Sequence, residues 1–211
     1  MASPAARRRR ALLGLGAVGA VFGFATAWSA ERRDVVAGAE LATALQTTPA
    51  TAVGGGPADP GELVVSGVEG RVASASLLRR AREGEIAGVI LMGRSIASTA
   101  QVRRLTGSLQ AAARDGGQLP LLVMVDQEGG TVKRFASARP SRSARAMAGL
   151  GVAGVRAEGR GTGQDLLARG VNVDLAPVAD VPTSASNFLG TRTFGTTPSA
   201  VARNACAFAA G

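Results

Sequence analysis

Two carboxylates and an amide follow directly on an apolar run at Leu121-Leu122-Val123-Met124-Val125, as Asp126-Gln127-Glu128. Gly129 and Gly130 come next, where the backbone can turn tightly or approach a ligand. Carboxylate pairs do the acid/base and nucleophilic work of glycosidases, which makes this cluster a candidate for sugar chemistry. Asp126 and Glu128 sit on one strand end, however, which is a poor arrangement for flanking a sugar ring. The alternative is a polar strand end capped by its own side chains. A second group lies further on: Asp180, then Asn187 and Arg192. The guanidinium fork of Arg192 suits hydroxyls or a carboxylate, and it could equally pair with Asp180 to hold the loop.

Several chemistries are excluded by what the chain lacks. With no histidine, it can form neither a Ser-His-Asp triad, nor a Cys-His pair, nor a histidine-ligated metal site. A metal and a cofactor are not expected. Cys206 is the one cysteine, so no internal disulfide exists, and it is expected to be a small buried residue on a terminal helix. The run Gly149 to Gly154 matches the dinucleotide pattern G-x-G-x-x-G, with Asp174 beyond it. That pattern needs a strand immediately upstream, and Ser141 to Ala146 does not read as one, so the run is expected to be a glycine-rich helix entry.

The elements that would position these groups alternate. Strands are expected at 63–67, 86–92, 121–125 and 171–177. Helices are expected at 76–83, 99–114, 152–168 and from Pro198 to Phe208. Thr99 suits an N-cap, and Gly170 stops the third helix. Such alternation gives a parallel α/β fold with its chemistry at the carboxyl ends of the strands. A TIM-type barrel needs about 250 residues and eight strands. By counting alone, about four strands in the region from Gly61 suggest a doubly wound open sheet. Hydrophobic residues make up 46% of the chain and aromatics 3%, so Leu, Val, Ala and Gly must build most of the core.

Before Gly61 the composition changes twice. Arg7 to Arg10 precede an apolar segment from Ala11 to Ala27, closed by the small residues Ala25-Thr26-Ala27. This is the layout of an export signal, and Arg9-Arg10-Ala11-Leu12-Leu13 resembles the twin-arginine type. Residues 1–30 are therefore expected to be a signal peptide or signal anchor, and the protein to be exported, extracellular or associated with the cell envelope. Residues 31–60, rich in Ala, Thr, Gly and Pro, are expected to be a flexible linker. The net charge is +9, but four of those charges lie at Arg7 to Arg10, and the remaining arginines are scattered. A nucleic-acid partner is not expected, and a membrane only through the N-terminal signal or anchor.

The stretches Ala87 to Arg94, Val125 to Phe135, Gly170 to Val181 and Gly190 to Gly195 together resemble the N-terminal domain of family 3 glycoside hydrolases, and especially bacterial β-N-acetylhexosaminidases. The Asp126-Gln127-Glu128-Gly129-Gly130 run, followed by Val132, Arg134 and Phe135, is the most specific part. The resemblance implies that residues 61–211 form the first half of a TIM-type (β/α)8 barrel with about four parallel strands. It also implies a saccharide substrate containing N-acetylglucosamine, in cell-wall fragments. Asp126, Arg134 and Arg192 would contact the sugar, and Glu128, Gly129, Gly130 and Asp180 would position the loops around it. The family's acid/base histidine and nucleophilic aspartate come from later strands, so no catalytic residue is expected among these 211, and this truncated chain alone is expected to be inactive. A β-glucosidase-like member, or a non-catalytic saccharide-binding or vestigial protein, would share much of the pattern.

Overall fold

A computed structural model describes residues 60–184 and 187–211. The expected signal at 1–30, and all of the expected linker at 31–60 except Pro60, lie outside the described residues. The helices are α1 (Ala75–Glu83), α2 (Thr99–Asp115), α3 (Ala144–Ala148), α4 (Gly151–Leu167) and α5 (Pro198–Ala209). The strands are β1 (Val65–Gly67), β2 (Gly88–Leu91), β3 (Leu122–Val125), β4 (Gln127–Gly129), β5 (Val132–Lys133) and β6 (Val173–Asp174).

Hydroxyl side chains start four of these helices. Ser74, Ser98, Ser143 and Thr197 each accept a hydrogen bond from the backbone N–H three residues on, which satisfies a donor the helix cannot use internally. Ser98, one residue before the expected Thr99, is therefore the cap of α2. All four strands are shorter than expected, β1 and β6 for reasons visible in the structure. Leu63 belongs to a 3-10 turn at Pro60–Leu63, so β1 begins at Val65. β6 stops at Asp174, level with Val125, where its partner β3 ends.

β1, β2, β3 and β6 form one parallel sheet in that spatial order. The order decides between the two architectures. A doubly wound sheet reverses direction at a switch point and carries helices on both faces. Here every step goes the same way, and among the described residues helices cover only one face. Val89, Leu91, Val123 and Val125 point to the covered side and have no exposed surface. They share a core with Leu77 and Ala81 of α1 and with Val102, Leu105 and Leu109 of α2. On the opposite face Val65 is 43% exposed, Leu122 43% and Leu175 44%. Sequential order with one helical layer is the pattern of a barrel wall, and the four strands are the first half of a (β/α)8 barrel.

A second core lies between α3, α4 and α5, where Met147, Val155, Phe194 and Phe208 are buried. The rings of Phe194 and Phe208 meet at 6.4 Å, tilted by 50°. Cys206, on α5 as expected, is exposed and not buried. It falls on the face of α5 away from Ala205, Ala207 and Phe208, which pack inward.

Candidate functional site

Because the four strands run parallel, their carboxyl ends share one rim. Asp126 follows β3, and Asp174 ends β6 beside it, with Val125 paired to Asp174. The chain then folds back as a small antiparallel hairpin of β4 and β5. Gly129 and Gly130 form its turn with φ of 87° and 59°, a region where side chains are strained. A Cβ on Gly129 would lie 2.1 Å from the carbonyl oxygen of Arg142, and one on Gly130 would lie 2.8 Å from Cβ of Ser143. Both glycines thus let the hairpin press against the loop before α3.

Gln127, buried completely, fixes this hairpin's return loop. Its Oε1 accepts the N–H groups of Arg134 (3.0 Å) and Phe135 (2.9 Å). Its Nε2 donates to the carbonyls of Phe135 (3.1 Å) and Arg139 (3.0 Å). All four amide bonds are made, which fastens 134–139 beneath the rim. Sequence reading placed Gln127 in the motif without giving it this work. The signal was its position between two carboxylates, one residue out of phase with both.

The two carboxylates have separate fates. Glu128 is buried, and both of its oxygens are taken by Arg192: Nε donates to Oε2 at 2.8 Å and Nη2 to Oε1 at 2.6 Å. This bidentate pair ties the 3-10 turn Gly190–Arg192 to the β4 strand. The bond to Glu128 holds the Arg192 guanidinium above its ordinary pKa. The partner of Arg192 is therefore Glu128 and not Asp180, which is exposed and makes no ion pair with it. Asp180 acts on Arg192 only through its charge. Arg145 of α3 braces the same turn, with Nε donating to the Thr193 carbonyl at 3.2 Å and Nη2 to its hydroxyl at 3.0 Å. Nothing in the sequence pointed to Arg145.

Asp126 is partly exposed and holds Arg134 by one oxygen only, Nη2 donating to Oδ2 at 2.8 Å. Its Oδ1 takes no hydrogen bond among the described residues. Arg134 Nε is buried without a partner. Arg192 uses Nε and Nη2 on Glu128, and its Nη1 makes no hydrogen bond among the described residues. The site thus brings Asp126, Arg134, Glu128 and Arg192 together on one rim and leaves an acceptor and three donor groups (Arg134 Nε and Nη1, Arg192 Nη1) without a hydrogen bond among the described residues.

Asp174 joins them. Its Oδ1 accepts the backbone N–H of Gln127 at 3.0 Å, and its buried Oδ2 has no partner. Burial raises its pKa to about 7, with the Asp126 and Glu128 charges adding to the rise and the Gln127 bond opposing it. No group of His, Cys, Asp and Glu among the described residues is arranged to hold a metal ion.

The matches to known proteins fall on this same region. The Glycosyl hydrolase family 3 N terminal domain matches residues 61–211. A Beta-hexosaminidase of Xanthomonas campestris pv. campestris is 33% identical over 148 residues, which are 66% of this chain and 43% of that protein. A glycoside hydrolase family 3 beta-N-acetylglucosaminidase from Paenibacillus sp. superposes with a TM-score of 0.64 at 32% identity, covering 70% of this chain and 29% of that one. A Beta-N-acetylhexosaminidase from Beutenbergia cavernae gives 0.63 at 33% identity, covering 71% and 48%. The chain spans less than half the length of these relatives. With a parallel half-barrel, the Asp126 to Arg134 rim and these matches in agreement, the chain belongs to glycoside hydrolase family 3, whose N-terminal domain it carries in residues 61–211.

Proposed function

We propose that this protein is a glycosidase of the β-N-acetylhexosaminidase type, and that Asp126, Arg134 and Arg192 hold the N-acetylglucosamine at the non-reducing end of cell-wall saccharides. One observation carries the reading: among the described residues Asp126 Oδ1 takes no hydrogen bond, while Arg134 orients its other oxygen. A carboxylate held in place with one oxygen open is a strong acceptor for a sugar hydroxyl. Glu128, with both oxygens committed to Arg192, positions the loop and is no candidate for contact with the sugar. Hydrolysis with retention needs two groups across the scissile bond, an acid/base and a nucleophile. The resemblance puts the family's acid/base on a histidine, and none occurs in these 211 residues. These residues are therefore assigned to sugar binding. The 211-residue chain alone is expected to be inactive.

The experiment is saturation-transfer NMR with N-acetylglucosamine on the 211-residue chain, beside a chromogenic N-acetylglucosaminide assay. Asp126→Ala should weaken binding about tenfold, the worth of one charge-assisted hydrogen bond at the lower end of its range. Equal binding by the variant would reduce Asp126 to a strand-end cap. Turnover by the chain alone would mean that a catalytic group lies within it.

A further inference from the structure

Asp174 makes none of the sugar contacts assigned to the rim, and its surroundings do not suit a passive strand end. Its Oδ1 holds the N–H of Gln127, the residue whose side chain fastens the loop carrying Arg134. Its Oδ2 is buried and bonded to nothing. The charges acting on it are those of Asp126 and Glu128 from the β3–β4 end, which are themselves paired with Arg134 and Arg192. Of the three carboxyl groups, Asp174 is the one with no cation among the described residues.

We propose that Asp174 is the positioning residue of the Asp126 sugar site: its Oδ1 anchors Gln127, and its buried Oδ2, which no cation meets among the described residues, has to stay uncharged near Asp126 and Glu128. This rests on the assignment of Asp126 to sugar binding. The proton is retained up to about pH 7, because burial disfavours the charged form. Above that, the new carboxylate repels those of Asp126 and Glu128 and shifts Asp126 from the place where Arg134 holds it. Sugar binding therefore weakens as the pH rises through neutrality, although the sugar itself carries no charge. An asparagine at 174 keeps the acceptor for Gln127 and cannot ionise, so it preserves binding and removes the pH dependence.

The test uses the 211-residue chain in two measurements. In the first, the Asp174 side-chain carbon and the Gln127 amide are followed by NMR through a pH titration. A shared midpoint near neutrality is expected. A carboxyl that titrates in the ordinary aspartate range, or an amide that ignores it, overturns the proposal. In the second, N-acetylglucosamine affinity is compared at about pH 5 and about pH 9 for the wild type, Asp174→Asn and Asp174→Ala. A loss of about threefold or more is expected in the wild type alone, with Asn binding well at both pH values and Ala weakly at both. Flat binding in the wild type overturns the proposal while leaving the sugar site standing. Failure of every form to bind at either pH overturns the sugar site instead, and the titration then decides the anchoring role of Asp174 by itself. The titration is read on the wild type, so it tests the proposal even where a variant fails to fold.

Discussion

The Glu128–Arg192 pair allows a quantitative test of how the rim is held. Replacing Glu128 with Gln removes the charge and one of two acceptors from a buried residue, leaving a cation that faced both. Two charge-assisted hydrogen bonds at about 1.5–3 kcal/mol each set an upper limit of about 3–6 kcal/mol. The Arg192 side chain keeps 30% of its surface exposed, so water recovers part of that loss. A glutamine also retains one acceptor. The expected cost is about 2 kcal/mol, below the range for breaking a fully buried pair. For a chain of this size that is a drop of about 4–8 °C in Tm. Arg192→Met should cost a similar amount, and the double variant should cost little more than either single one. The assay is a double-mutant cycle read by thermal and urea denaturation followed by circular dichroism, with an expected coupling energy of about 1.5–2 kcal/mol. A coupling below about 0.5 kcal/mol would place the pair among ordinary surface ion pairs and refute the claim that it ties the 190–192 turn to β4.

Other outcomes follow from the same structure. The folded pKa of Asp174 lies near 7 and its unfolded value near about 3.9, so its contribution to stability is complete below the unfolded value and is lost as the pH rises through about 7. The limit of that loss is about 4 kcal/mol, reduced to about 2 by partial solvent access, and Asp174→Asn should abolish it in denaturation curves taken between about pH 4 and about pH 8. One-sided coverage of the sheet predicts unequal neighbours: Val123→Ala, fully buried under the helices, should cost about 2–3 kcal/mol, whereas Leu122→Ala on the open face should cost under about 1 kcal/mol in urea denaturation. For the N-terminal region, a twin-arginine export route predicts that changing Arg9 and Arg10 to Lys blocks secretion; unchanged secretion of that double variant in a fractionation assay would reject the route.

The alternation of elements was legible because both periodicities were strong. Val89, Leu91, Val123 and Val125 lie in continuous apolar runs, and the helices carry their apolar residues at helical spacing. Strand ends were less legible, since tertiary pairing and not composition sets them. The run 171–177 is apolar enough for seven strand residues, but β6 has two. The β4–β5 hairpin and the short α3 were missed for the same reason: glycine and polar residues give little periodicity, and both exist through the amide bonds of Gln127 and the cap at Ser143. The burial of Cys206 was misjudged because helical phase, not residue type, decides which side chain on α5 faces the core.

Residue type also could not say which acidic group was free. Asp126, Glu128 and Asp174 are all carboxylates at parallel strand ends, and only their partners separate them. Glu128 is spent on Arg192, Asp174 is spent on a backbone N–H and lacks a cation, and Asp126 alone combines an orienting arginine with an open oxygen. Three side chains of one chemical kind thereby divide into a brace, an anchor and the group proposed to bind the sugar. That division comes from two arginines reaching in from loops 8 and 64 residues away in sequence, so it becomes visible only once the chain has folded.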